Sequence, residues 1–202
     1  MSKAKVYFCD EYDFDSEKGL ALLPEERLAR YHRFRFEDDK KNCLGAYLLL
    51  VKALKEQGVE QFELCYSENG KPGIQDTPVF FNLSHSKKGF VCAVHSKEIG
   101  VDIQTVAAAK EITLNRICSS DEKIAVSDDA VKFTRLWTFK ESIIKKRGET
   151  VFRYSQYRFP EIKKDFFAYD NHFVSFDDGN SVITVCGEFD EAELIKIKSS
   201  EL

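Results

Sequence analysis

Two carboxylates, one where an apolar run would be expected to continue and one at the edge of an apolar helical stripe, could do chemistry together. Asp102 lies in Ile-Gly-Val-Asp-Ile-Gln, residues 99–104, and strand alternation places it with Gly100 and Gln104 opposite Ile99, Val101 and Ile103. Glu141 lies in Leu-Trp-Thr-Phe-Lys-Glu-Ser-Ile-Ile-Lys-Lys-Arg-Gly, residues 136–148. On a helical wheel of about 100° per residue it borders a stripe of Phe133, Leu136, Trp137, Ile143 and Ile144. If these two acids meet, their repulsion requires a proton or a cation between them. Two carboxylates, the Gln104 amide oxygen and water make a set of hard oxygen donors suited to magnesium. Lys140 and Lys145 would then place positive charge around a polyphosphate. Lys140 falls inside the apolar stripe, where an unpaired ammonium is costly, so it demands an anion.

Simpler readings exist for each piece. Asp102 and Gln104 could form the wet face of a half-buried strand. Glu141 and Lys145 could be an exposed i,i+4 pair contributing about 0.2–0.5 kcal/mol. Gly100 leaves room for something bulky to approach.

Upstream, Ser84-His85-Ser86 follows an apolar strand and gathers donors that could surround an anion, or could form a turn. Gly70-Lys71-Pro72-Gly73 has glycines that let backbone approach a phosphorylated group, although an ordinary hairpin loop explains it too. The basic residues Arg27, Arg30, Arg33, Arg35, Lys40 and Lys41 interleave with Glu25, Glu26, Glu37, Asp38 and Asp39, which reads mainly as a solvated helix face. His32, His95, His172 and Trp137 read as structural.

The elements that must position these residues follow from periodicity. A first strand, "KVYFC", precedes a short helix over "LLPEERLARYHRFRF" and a longer one over "EDDKKNCLGAYLLLVKALKEQG", whose first turn is acidic and which Gly58 ends. Strands are expected at "QFELCYS", "VFFNLS", "GFVCAVHS" and "IGVDIQ", with "ENGKPGIQDTP" as a turn. A broken helix should span "EITLNRICSSDEKIAV". A strong helix should span "DDAVKFTRLWTFKESIIKKR", capped by Ser127 and stopped by Gly148. The remaining segments "TVFRYSQYRFP", "DFFAYDNHFVSFDDGNSVITVCGEF" and "AELIKIK" read as antiparallel strands with an Asp178-Gly179 turn. The fold class is α+β: two similar α/β lobes side by side in a pseudo-twofold arrangement, residues 1–104 and 105–202, with the active site at their interface.

The 202 residues can bury a substantial core, and 43% hydrophobic with 32% charged residues is ordinary for a globular chain. A net charge of -4 gives no general reason to bind nucleic acid or an anionic membrane, so anion binding must come from local clusters. The first residues lack the apolar core of a signal peptide and no run reaches the length of a membrane span, so a cytoplasmic protein is expected. The six cysteines are scattered without metal spacing and read as reduced thiols.

Taken in order, "GKPGI", "FNLSHS", "IGVDIQ" and "LWTFKESIIKKRG" resemble the 4'-phosphopantetheinyl transferase superfamily, in its larger single-chain, two-lobed type acting on peptidyl and acyl carrier proteins. The resemblance covers about residues 24–148. It implies magnesium-dependent transfer of phosphopantetheine from coenzyme A to a carrier-protein serine, releasing 3',5'-ADP, by a monomer. By position, Asp102, Gln104 and Glu141 would hold the metal. Glu141 would also assist a metal-bound water or act as base, and Lys145 would stabilise the diphosphate and protonate the departing oxygen. Lys140 would support the same anionic cluster. Ser84 and His85 would hold coenzyme A phosphates, Gly70, Lys71 and Pro72 would flank the adenine, and Lys41 would reach the 3'-phosphate. The carrier would dock along "EITLNRICSSDEKIAV". Two positions depart from the pattern. Gln104 stands where many relatives have an acid, and Glu26 and Ala29 stand where they have lysines, with Arg27, Arg30 or Arg33 as substitutes. Two other functions compete: a non-catalytic coenzyme A or carrier-protein binder, and an RNA-binding module using Arg27 to Arg35 with Tyr31, Phe34 and Phe36.

Overall fold

The computed structural model describes residues 2–202. Two four-stranded sheets each carry helices on one face and share an apolar core between them. In the first sheet, β10 (Glu191–Lys196) and β1 (Lys3–Cys9) run parallel, and β5 (Gly89–His95) and β4 (Phe80–Ser86) complete the order β10-β1-β5-β4. In the second, β6 (Ile99–Thr105), β9 (Ser181–Gly187), β8 (Asn171–Asp178) and β7 (Asp165–Ala168) are antiparallel in the order β6-β9-β8-β7. The C-terminal strand therefore belongs to the sheet of the first strand, and β6 opens the other sheet. "AELIKIK" is a strand as expected, but parallel to β1 rather than antiparallel.

Alternation in β1 sends Tyr7 and Cys9 toward α3 (Glu37–Lys55), while Ala4, Val6 and Phe8 enter the core shared with Ile99, Val101, Ile103, Ile183 and Val185. Strands β5 and β9 are buried at every residue, since one face meets the other sheet and the opposite face a helix. That explains their nearly unbroken apolar runs. On the second sheet the covering helix is α6 (Ala130–Arg147), whose Leu136, Phe139 and Ile143 pack with Phe173 and Cys186.

Helix ends agree with the local chemistry. Glu37, Asp38 and Asp39 occupy the first turn of α3, favoured by the positive end of the helix dipole. Helix α6 is capped by Asp129, whose carboxylate accepts from Val131 and Lys132 amides at 2.9 and 3.0 Å, and not by Ser127. Lys145, Lys146 and Arg147 close its last turn, and Gly148 (φ 62°) ends it in the left-handed region. The remaining helices are α1 (Ser16–Ala21), α2 (Glu25–Arg33), α4 (Glu111–Ile117) and α5 (Ser120–Val126), the last two being the broken helix of the sequence. Within the segment read as a turn, β3 (Pro72–Ile74) pairs with β2 (Leu64–Tyr66). "TVFRYSQYRFP" contains a 3-10 helix, Val151–Gln156, in place of a strand.

Strands β4 and β6 are facing edges of the two sheets, and side chains join them where backbone does not. The free amides of Val101 and Ile103 donate to Asn82 Oδ1 at 2.9 Å and Ser84 Oγ at 3.4 Å. Edge groups that would otherwise lack partners are satisfied in this way.

Candidate active site

Gly100 sets the position of the site. A Cβ there would lie 2.0 Å from the Ser142 carbonyl oxygen and 2.7 Å from the Lys146 amide, so the room left by this glycine is filled by α6 itself and not by a ligand. Close backbone approach of β6 and α6 brings Asp102 beside Glu141 and Lys145.

Asp102 is almost completely buried. Its Oδ1 accepts from Ser84 Oγ at 2.7 Å and from the Lys145 ammonium, and its Oδ2 accepts from Gln104 Nε2 at 3.3 Å. Glu141 accepts from the phenol of Tyr154 through Oε1. Burial, then the nearby Asp102 charge, push the Glu141 carboxyl above its usual range, while the Tyr154 hydrogen bond and Lys145 oppose that rise. The two acids are therefore near enough to repel each other.

A cleft of about 490 Å³ opens beside the two acids. Ser84, His85, Gly70, Lys71, Pro72, Asp102, Gln104, Glu141 and Lys145 all border it. Arg27 and Arg30 of α2 form the basic part of the wall, together with Phe34 and Cys43. Arg27 is buried, its guanidinium lies 5.9 Å from the Tyr47 ring centroid, and its Nε finds no acceptor among the described residues. A buried, partly unsatisfied guanidinium in a cleft wall suits an anion. His85 is exposed and borders the cleft. Desolvation by the cleft walls, then the charges of Lys145 and Arg30, hold its imidazole below its usual pKa.

Several sequence expectations change here. Lys140 does not face the cleft: its buried ammonium donates to the Ile117 carbonyl at 2.7 Å, to Glu122 at 2.9 Å and to the Tyr154 carbonyl at 3.3 Å. The required anion is Glu122, which also accepts from the Ser119 and Phe159 amides. Lys41 is exposed and outside the cleft lining, because α3 turns it toward solvent. Lys71 borders the cleft through its stem, while its ammonium binds Glu98 and the Lys146 carbonyl at the negative end of α6. Ser84 donates to Asp102 and accepts from Lys145 at 2.8 Å and from the Ile103 amide. One hydroxyl offers one proton and two lone pairs, so Ser84 has none left for a phosphate. Trp137, read as structural, packs against the core beside α6 and also borders the cleft.

Residues missed in the sequence include Asn82 and Tyr154. Asn82 had a signal in the spacing of Asn82, Ser84 and Ser86, a polar period of two against Phe81 and Leu83 on the other face. Tyr154 had none.

One cleft is thus bordered by two carboxylates, Asp102 and Glu141, and by two arginines, Arg27 and Arg30. The sequence profile of the 4'-phosphopantetheinyl transferase superfamily matches residues 98–188. A 4'-phosphopantetheinyl transferase of Bacillus subtilis is 31% identical over 144 residues, 67% of this chain and 64% of the relative. The Sfp protein of B. subtilis strain 168 is 30% identical over 147 residues, with the same coverage, and HetI of Nostoc is 28% identical over 157 residues, 70% of this chain and 66% of the relative. This chain belongs to the 4'-phosphopantetheinyl transferase superfamily. The matches span just under two thirds of the length of the two B. subtilis relatives.

Proposed function

We propose that the protein transfers phosphopantetheine from coenzyme A to a serine hydroxyl of an acyl or peptidyl carrier protein, releasing 3',5'-ADP. The observation that carries this reading is that Asp102, Glu141 and Lys145 border one cleft, near enough for the Asp102 charge to act on Glu141 and for Lys145 to bond Asp102. The match to named transferases supports it.

The donor set fits magnesium. Asp102, Glu141 and Gln104 present hard oxygens, and the repulsion from Asp102 that adds to burial in raising the Glu141 carboxyl is one a cation would relieve. Among the described residues no third acid, histidine or cysteine joins them, which leaves room for phosphate oxygens and water in a magnesium shell. Bound there, the ion would neutralise charge on the diphosphate.

The chain's own groups account for the rest. Glu141 is placed to take the proton of the incoming serine as its oxygen bonds to the pantetheine-side phosphorus. Lys145, which holds Asp102 in the free protein, is placed to stabilise the diphosphate and to give a proton to the departing 5'-phosphate oxygen. His85, Arg27 and Arg30 offer donors for the remaining phosphate. Ser84 acts indirectly, by orienting Asp102 and Lys145. The carrier would approach along α4 and α5, where Ile112 and Ile124 are each 78% exposed.

The test is to incubate the protein with coenzyme A, magnesium and several apo carrier proteins and to weigh each carrier by mass spectrometry. A phosphopantetheine adduct is expected, and Asp102→Ala and Glu141→Ala should each reduce it by more than the roughly 100-fold that outer-shell partners typically cost. Coenzyme A binding with no adduct on any carrier would favour a non-catalytic coenzyme A or carrier-binding protein.

A further inference from the structure

The carboxylate of Glu141 is steadied by a residue outside every recognisable motif. Tyr154, on the 3-10 helix after α6, donates its phenol hydrogen to Glu141 Oε1. Its ring is 8% exposed and packs against Trp137 at 6.0 Å between centroids. It borders the apolar pocket beside Ile112 and Arg116 rather than the cleft, so it approaches Glu141 from behind.

The backbone that carries Tyr154 is fastened independently. Its carbonyl accepts from Lys140, and Glu122, the partner of Lys140, accepts from the Phe159 amide at 2.9 Å. Lys140 and Glu122 thus bracket the 3-10 helix on both sides and tie it to α5 and α6. Asp102 is served in the same manner by Ser84, so each acid has one oxygen engaged by a hydroxyl from a neighbouring element.

We propose that Tyr154 is a positioning residue for the cation site, fixing one oxygen of Glu141 so that the other faces the cleft. The inference rests on the proposed function only in assigning a cation to Asp102 and Glu141. Ligating carboxylates depend on such outer partners, whose loss typically weakens metal binding about 10- to 100-fold.

The experiment uses manganese as the probe, with free ion followed by electron paramagnetic resonance in the presence of saturating coenzyme A, on the full chain and its Tyr154→Phe variant. Manganese affinity is expected to fall about 10-fold or more in the variant. Coenzyme A affinity without metal should stay at the wild-type value. Tyr154→His, which keeps a ring donor, should lie between the two, and it carries the comparison if the Phe chain melts early. Equal manganese affinity in all three proteins would overturn the proposal. If manganese binding weakens as expected while the wild type modifies no carrier, the positioning role holds and the transfer reading fails.

Discussion

Gly100 lies against the carbonyl of Ser142 so closely that an added Cβ would sit 2.0 Å from that oxygen. Strand β6 and helix α6 therefore meet backbone to backbone at the level of the site. Gly100→Ala must push α6 outward, and overpacking of this kind costs about 1–3 kcal/mol or more. The variant is expected to unfold at lower denaturant and to bind manganese more weakly, as Glu141 and Lys145 move away from Asp102. An unchanged unfolding midpoint would show that the contact is looser than described.

Lys140 separates two readings of the transferase-like helix motif. Because its ammonium is buried against Glu122 rather than turned to the cleft, Lys140→Met should act on stability. Breaking a buried pair by removing one partner costs about 3–5 kcal/mol. Chemical denaturation should register that loss, while the folded fraction binds coenzyme A as the wild type does. Weakened binding at unchanged stability would place Lys140 in the cleft.

Ser84→Ala removes a hydroxyl shared by Asp102, Lys145 and the Ile103 amide. The buried groups left without a partner should cost about 1–3 kcal/mol. Transfer should fall through a higher magnesium requirement rather than through lost coenzyme A affinity. A selective loss of coenzyme A affinity would mean that Ser84 contacts phosphate.

His85 gives the site a pH signature. Its imidazole is held below its usual pKa in the free protein, and a phosphate beside it would favour the charged form and raise that pKa. Between the two values binding takes up a proton, so affinity for coenzyme A should rise as pH falls through and below the ordinary histidine range. Calorimetry in buffers of different ionisation enthalpy should detect this proton uptake, and His85→Ala should remove it. Identical uptake in the variant would exclude His85 from the phosphate site.

Gln104 borders the cleft and donates to Asp102 Oδ2. Gln104→Glu exchanges that hydrogen bond for a third negative charge. The variant should need less magnesium for half-maximal transfer, and without metal it should melt at a lower temperature from added repulsion. An unchanged magnesium requirement would mean that residue 104 does not face the ion.

Much of the machinery was legible because its signals are local. The alternation of Gly100, Asp102 and Gln104 against Ile99, Val101 and Ile103 depends only on the strand repeat, and the structure keeps those faces. Glu141 could be placed near Trp137, and Gly148 at the end of α6, from helical geometry and dipole chemistry alone. The sequence also required an anion for Lys140, since burying an unpaired ammonium is prohibitive, but Glu122 lies 18 residues away on another helix. Its identity followed only from how α5 packs on α6. Likewise, the pairing of β10 with β1, the stitching of Val101 and Ile103 to Asn82 and Ser84, and the reach of Tyr154 to Glu141 join residues with no common period. Residue types and spacing determined which groups could do phosphate chemistry on this chain. Tertiary packing decided which of them border the cleft and which hold the others in place, because hydrogen bonds and ion pairs are settled by distance in space and not along the chain.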